Sequence, residues 1–283
     1  DEMLKPGGYH PVLEPHGRAS RPYGNRPVCA GNNNCNPVCP IGAKYDGSMH
    51  IDVAERAGAK LLDNAVVYKI EAGDDGKITA VHYKKPDGTS QRLTARHFVL
   101  AAYGIESPKL LLMSTSEKYP NGIANSSDQV GRNLMGHTGI SMNIMMNEDV
   151  WPGQGPTELL VYLNYRDGAF RKDIPSYKTK FRNTVTTSQI ASSLIAKGVL
   201  GSQLDAEIRR QSARSLNVAV DFETEAQPQN RVVPSTTKKD AIGIPVPEIY
   251  YSVNDYWNAG RDFAVKDLQR MAGLLQADIL KID

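Results

Sequence analysis

The sequence is short of cysteine, of charge imbalance and of long apolar runs. Of its 283 residues only three are cysteine, and all lie between Cys29 and Cys39. An odd count rules out a framework made purely of disulfides. The formal net charge is +2, from 33 basic and 31 acidic residues. That leaves no broad basic field for nucleic acid or an anionic membrane surface. The longest apolar stretches, such as residues 98–102 and 110–113, are far too short to span a bilayer as a helix. No GxGxxG occurs, so a complete dinucleotide fingerprint is missing from this stretch. No basic-then-apolar leader opens the sequence, and Asp1 rather than Met stands first. Together with an amphipathic helix expected to run up to the last residues, this reads as a piece of a longer chain.

What is present suits an ordinary globular protein: 40% apolar and 23% charged residues, with length enough for one large domain or two ordinary ones. Residues 1–45 are rich in Pro, Gly and Asn and read as a long ordered loop, which in compact domains is usually functional. Residues 49–59 fit a short helix. Three strand-like runs follow, 60–71, 78–84 and 91–102, separated by Asp74-Asp75-Gly76 and Pro86-Asp87-Gly88. Asp-Gly between apolar runs is a strong hairpin signal, so an antiparallel meander is expected, its last strand running into FVLAA (98–102). Gly104 then permits a tight turn, Ser107 suits an N-cap and Pro108 the first turn of a helix over 109–114. Helix N-termini offer unpaired N–H groups to ligands. Small residues at Ala101, Ala102 and Gly104 let backbone approach one closely. After a Gly/Asn/Ser-rich loop (117–140), strands are expected at 142–146, 158–165, 216–225 and 249–254. Helices are expected at 186–214 and 255–281. A domain change is placed near 140.

The cysteines read Cys29-x5-Cys35-x3-Cys39, followed by Pro40. Three thiolates on one loop suit a soft metal or an iron–sulfur cluster. Gly31 and Asn32, Asn33 and Asn34 favour the left-handed turns such wrapping needs. Three ligands suit a [3Fe–4S] centre. A Cys29–Cys35 disulfide with Cys39 free, or zinc bound with a histidine such as His50, are the competing readings, although the spacing departs from the usual CxxC zinc pattern.

Five separated blocks carry a resemblance: residues 26–47, 54–72, 98–114, 121–137 and 228–256. Together they resemble the flavoprotein subunit of bacterial membrane-bound sugar and sugar-acid dehydrogenases, in the glucose–methanol–choline oxidoreductase family. The resemblance implies an α/β (α+β) fold. Its parts are a partial FAD-binding domain with an antiparallel β-meander over 1–140, including the iron–sulfur loop at about 26–47, and an incomplete mixed-sheet substrate domain over 141–283. The N-terminal Rossmann strand with GxGxxG and the C-terminal catalytic segment are absent. It further implies FAD held at Val67, Ala101, Ala102, Gly104, Ser107 and Pro108, and a [3Fe–4S] cluster on Cys29, Cys35 and Cys39. Its partners are a cytochrome c subunit and a small chaperone-like subunit, in the periplasm, with membrane attachment through the cytochrome. The reaction is hydride transfer from a sugar or sugar-acid CH–OH to FAD, gluconate being the first expectation. The His/Asn pair that takes the hydroxyl proton lies beyond residue 283, so no catalytic residue is assigned here. His137 matches a family position, but Gly136 stands where an Asp is usual. His82 and His97 read as structural residues of the meander. A non-catalytic iron–sulfur electron-transfer module or a structural subunit is the alternative.

Overall fold

The computed structural model describes residues 2–283. Its strands and helices form two units that interleave along the chain. The larger takes the chain up to Ala54, then His137–Thr224 and Asn254–Asp283; the smaller takes Glu55–Gly136 and Glu225–Val253. The chain crosses between them after Gly136. The chain also crosses after Ala54, Thr224 and Val253.

In the larger unit β1 (Pro11–Leu13), β5 (Gly139–Met145), β6 (Glu158–Tyr165), β7 (Tyr177–Arg182), β8 (Ser215–Phe222) and β11 (Asp278–Ile282) form one sheet in the order β1-β6-β7-β8-β5-β11. Every ladder in it is antiparallel, where a mixed sheet was expected. Alternation along β5 turns Ile140, Met142 and Ile144 inward, the period-2 pattern of a half-buried strand. Helix α5 (Asp255–Leu274) lays Ala264, Leu268 and Met271 into the same core. Burying each of the two larger side chains contributes roughly 1.5–3 kcal/mol. The Asn254 side chain caps α5 by accepting from the Trp257 N–H at 3.0 Å. Gly260 lets α5 close in, since a Cβ there would stand 2.6 Å from the Pro175 ring. Residues 186–214 form two helices as expected, α3 (Thr187–Ala196) and α4 (Gly201–Arg214).

Asp267 on α5 is only 6% exposed. Its carboxylate accepts from the hydroxyls of Tyr9, of Tyr177 at 3.1 Å and of Tyr165 at 3.5 Å. Burial first, and then the carboxylate, push the Tyr9 and Tyr177 phenols well above their ordinary 10.0.

The smaller unit holds the expected meander as β2 (Val66–Ala72), β3 (Ile78–Lys84) and β4 (Ser90–Leu93). Both turns bear left-handed glycines, Gly76 and Gly88, each at φ 81°. Helix α2 (Tyr103–Met113) packs on β2 and on the hairpin β9 (Arg231–Lys239) and β10 (Pro245–Tyr250). Helix α1 (Ser48–Arg56) bridges the first crossing. No described helix is long and apolar enough to cross a membrane.

Three expectations change. The run 98–102 is not a strand: the third meander strand stops at Leu93, and Val99 is 91% exposed. A short apolar run becomes a buried strand only with neighbours to pair with, and no described strand lies beside it. The last helix ends at Leu274, Gln276 turns at φ 52°, and β11 follows. Finally, α2 begins at Tyr103 rather than near Ser107. The Ser107 hydroxyl reaches back to accept from the Ala102 N–H at 3.1 Å, so it serves the helix start from inside the helix.

Tyr177→Phe removes one donor from Asp267 and is expected to lower the unfolding free energy of the full-length protein by about 1.5–3 kcal/mol, read by denaturant titration. Raised phenol pKa values mean that the folded state keeps protons the unfolded chain releases. The resulting stability is fully present below pH 10.0, the ordinary phenol value, and declines as pH rises above it. Stability should therefore fall less steeply above that pH in the double variant Tyr9→Phe/Tyr177→Phe. Equal slopes would remove the tyrosines as the source.

Candidate functional site

The cysteine loop is built from backbone pairing rather than regular structure. Arg18 pairs with Lys44 in an isolated antiparallel bridge, the Ala19 N–H donates to the Ala43 carbonyl at 2.8 Å, and the Cys29 N–H donates to the Ala19 carbonyl at 2.9 Å. Arg26 fastens the layer, its Nη2 donating to the carbonyls of Gly17 and Ala43 at 2.9 and 2.7 Å. Lys44 Nζ donates to the Cys35 carbonyl at 2.7 Å. Cys29, Cys35 and Cys39 all carry free thiols, half-buried, and they line one small hollow with Gly31, Asn33 and Pro156. The Cys29–Cys35 disulfide is thus not formed.

His50, the candidate fourth zinc ligand, pairs with the Tyr45 hydroxyl at 2.8 Å instead. The backbone N–H of Lys44 above all, joined by those of Ile41, Ala43 and Gly42, holds the Cys39 thiol below its ordinary value, against the opposing effect of burial. Amides aimed at sulfur stabilise thiolate, the form that binds metal. Among the described residues, Glu14, His16 and Glu158 also bring ligand atoms within 4.8 Å. That trio already faces the ammonium groups of Lys178, 2.5 Å from Glu14, and Lys180, 3.5 Å from Glu158.

The second candidate feature is a groove of about 1110 Å³ in the smaller unit, at the upper end of ligand-pocket size. Val67 on β2 and Ala101 and Ala102 before α2 line it. Gly104, Ser107 and Pro108 do not; they sit in the first turns of α2, and a Cβ on Gly104 would meet nothing within 4 Å. The left-handed residue at this turn is Tyr103, at φ 49°, not Gly104. Pro108 lacks the N–H that would bond the Gly104 carbonyl, which loosens the first turn. One wall is charged: Lys109, 7% exposed, pairs with Glu106 at 2.6 Å. The spacing hinted at this pair, since i and i+3 share a helix face, but nothing in the sequence marked it as facing a groove.

No histidine is among the residues that line either feature. His82 bonds Glu71 at 2.7 Å within the meander, a structural role. His97 lies in the irregular run after β4, not in a strand, and His137 is exposed at the crossing into the larger unit. The adjoining loop is stitched to β9: the Val232 N–H donates to the Gly131 carbonyl at 2.8 Å, and a Cβ on Gly131 would stand 2.3 Å from the Val232 oxygen.

With metal-free protein, residue-resolved iodoacetamide labelling against pH should give Cys39 a midpoint below 9.0, its ordinary value. A midpoint at or above 9.0 would show that the four amides do not act on this sulfur.

Residues 20–139 match the family model described as GMC oxidoreductase. The chain is 44% identical to the fructose dehydrogenase large subunit of Gluconobacter japonicus over 255 residues, which is 90% of this chain and 47% of that protein. It is 33% identical over 137 residues to 6'''-hydroxyparomomycin C oxidase of Streptomyces lividus, covering 45% of this chain and 24% of that one. A solved formate oxidase of Aspergillus oryzae RIB40 overlays with a TM-score of 0.49 at 16% identity, over 75% of this chain and 42% of that one. The chain thus spans less than half the length of the relatives it matches. The stretch 20–139 thus belongs to the GMC oxidoreductase family.

Proposed function

We propose that the full-length protein is an FAD-dependent dehydrogenase of CH–OH groups in sugars or sugar acids, with FAD along the groove of the smaller unit. The observation that carries this reading is that groove: large, mostly apolar, with the small side chains of Ala101 and Ala102 and the buried Lys109, paired with Glu106, in its wall. A flat aromatic cofactor needs apolar walls and close backbone, and its anionic part favours a nearby cation. FAD, when bound, supplies the hydride acceptor. Val67, Ala101 and Ala102 would hold it, and the His/Asn pair that takes the substrate proton would come from beyond residue 283. Fructose, the substrate in the name of the relative that is 44% identical to this chain, joins gluconate as the first compound to test.

The cysteine hollow suits a [3Fe–4S] cluster through its donor set: three free thiols lining one hollow, with amides turned toward Cys39. Such a cluster, when bound, supplies a one-electron carrier. A cytochrome c subunit as acceptor, a small chaperone-like subunit and a periplasmic location complete the proposal. A relative named as a large subunit supports the existence of subunit partners.

The purified full-length protein should carry flavin and iron and reduce a dye with fructose, gluconate, glucose or sorbitol. Ala101→Trp fills the groove and should sharply reduce flavin per folded chain, whereas Gly104→Val should leave it unchanged. Wild-type flavin content in Ala101→Trp would move the cofactor out of this groove. Iron without flavin or dye reduction would favour a non-catalytic electron-transfer subunit.

A further inference from the structure

The arm of the cysteine loop is tied within the loop at its two ends, Cys29 to Ala19 and Cys35 to Lys44, but between them residues 31–33 are held from outside. Asn33, in the left-handed region at φ 57°, donates its two amide hydrogens to the carbonyls of Gly155 at 3.1 Å and Asn183 at 2.6 Å. Asn183 directly follows the last residue of β7. Each of its polar groups is engaged. Its side-chain amide donates to the carbonyls of Gln154 and of Pro156, the latter at 2.8 Å. Its side-chain oxygen accepts from the Gly153 N–H at 3.0 Å, and its backbone N–H donates to the Thr157 carbonyl at 2.7 Å. So Asn183 shapes residues 153–157 and grips Asn33 at once.

Those residues in turn press on the cysteine arm. The Gly155 N–H donates to the Gly31 carbonyl at 3.1 Å, and Asn32 bridges Gly155 in parallel. A Cβ on Gly31 would stand 3.2 Å from the Gly155 Cα, and both glycines are left-handed, at φ 68° and 83°. Pro156 closes one side of the cysteine hollow. The span between Cys29 and Cys35 is therefore registered against the end of a sheet strand, while the Cys39 carbonyl accepts separately from the Gly42 N–H at 3.2 Å.

We propose that Asn183, acting through Asn33 and Gly155, is the positioning residue of the thiolate cup. It sets the distance of Cys29 and Cys35 from Cys39 and so decides whether a cluster is retained. The inference rests on the iron–sulfur reading above. Outer partners that orient metal ligands typically change metal affinity about 10–100-fold when removed.

The test uses the full-length holoprotein with its subunits. Asn33→Gly keeps the left-handed turn and adds no charge but removes both donors; Asn183→Ala removes the shaping amide; Asn34→Gly, at an exposed position, is the control. Iron and sulfide per chain, iron loss to a chelator, the electron paramagnetic resonance spectrum of the oxidised protein and flavin per chain are measured. The expected result is about 10-fold faster iron loss and an altered spectrum in Asn33→Gly and Asn183→Ala, with flavin unchanged and Asn34→Gly like wild type. If Asn183→Ala does not fold, Asn33→Gly decides alone. Wild-type iron retention and spectrum in Asn33→Gly would overturn the inference while leaving the iron–sulfur reading intact. A wild-type protein without iron would overturn that reading, and this inference with it.

Discussion

The larger unit depends on one buried charge. Asp267 sits on α5 inside the core, where an ionised carboxylate is tolerated only when hydrogen-bonded. Its donors come from three places distant in sequence: Tyr9 ahead of β1, Tyr165 at the end of β6 and Tyr177 at the start of β7. The Arg270 guanidinium lies 5.3 Å above the Tyr9 ring, one turn from Asp267 on the same helix. Apolar contact alone would let α5 slide along the sheet, because burial has no direction. Three hydroxyls converging on one carboxylate set its register. Through Tyr177 that constraint enters β7, and the other end of β7 runs into Asn183 and the cysteine arm. The helix–sheet core and the thiolate cup are thus ends of one strand.

The smaller unit is held by a different means, close backbone approach. Gly131 lets its loop touch the backbone of β9. The Ser114 hydroxyl, accepting from the Ile70 N–H at 2.8 Å and donating to the Leu110 carbonyl at 2.6 Å, ties β2 to the end of α2. Around these ties the walls are apolar, which is why a groove can persist beside α2. The Glu106–Lys109 pair puts the charge of this wall at one end of an otherwise aliphatic surface.

Sequence reading recovered what is local. The meander was legible because Gly76 and Gly88 follow aspartates that accept from Lys77 and Thr89 within the same turns. The cysteine loop was legible because its three thiols are close in sequence. What escaped depends on partners distant in sequence. β9 and β11 carry too few apolar residues in alternation to stand out, and β7, which alternates Tyr177, Thr179 and Phe181 with Lys178, Lys180 and Arg182, is only six residues long. FVLAA shows the converse, a strong strand pattern left irregular for want of a neighbouring strand. Gly104 was credited with permitting the tight turn, where the left-handed residue is Tyr103. Asn183 could not have been singled out, since its importance comes from Asn33, 150 residues away.

That separation orders events during synthesis. Asn33 emerges 150 residues ahead of Asn183, which arrives only after the smaller unit's meander has left the ribosome. The sheet behind it lacks an edge until β11, within the last six residues described, pairs with β5. Such long-range closure is slow compared with local hairpins. The nascent chain therefore passes through a stage with three free thiols on an unanchored loop. In that stage they are open to oxidation into the very disulfide the finished fold avoids, so exposure to an oxidising compartment before the chain is complete is the step this architecture is least equipped to survive.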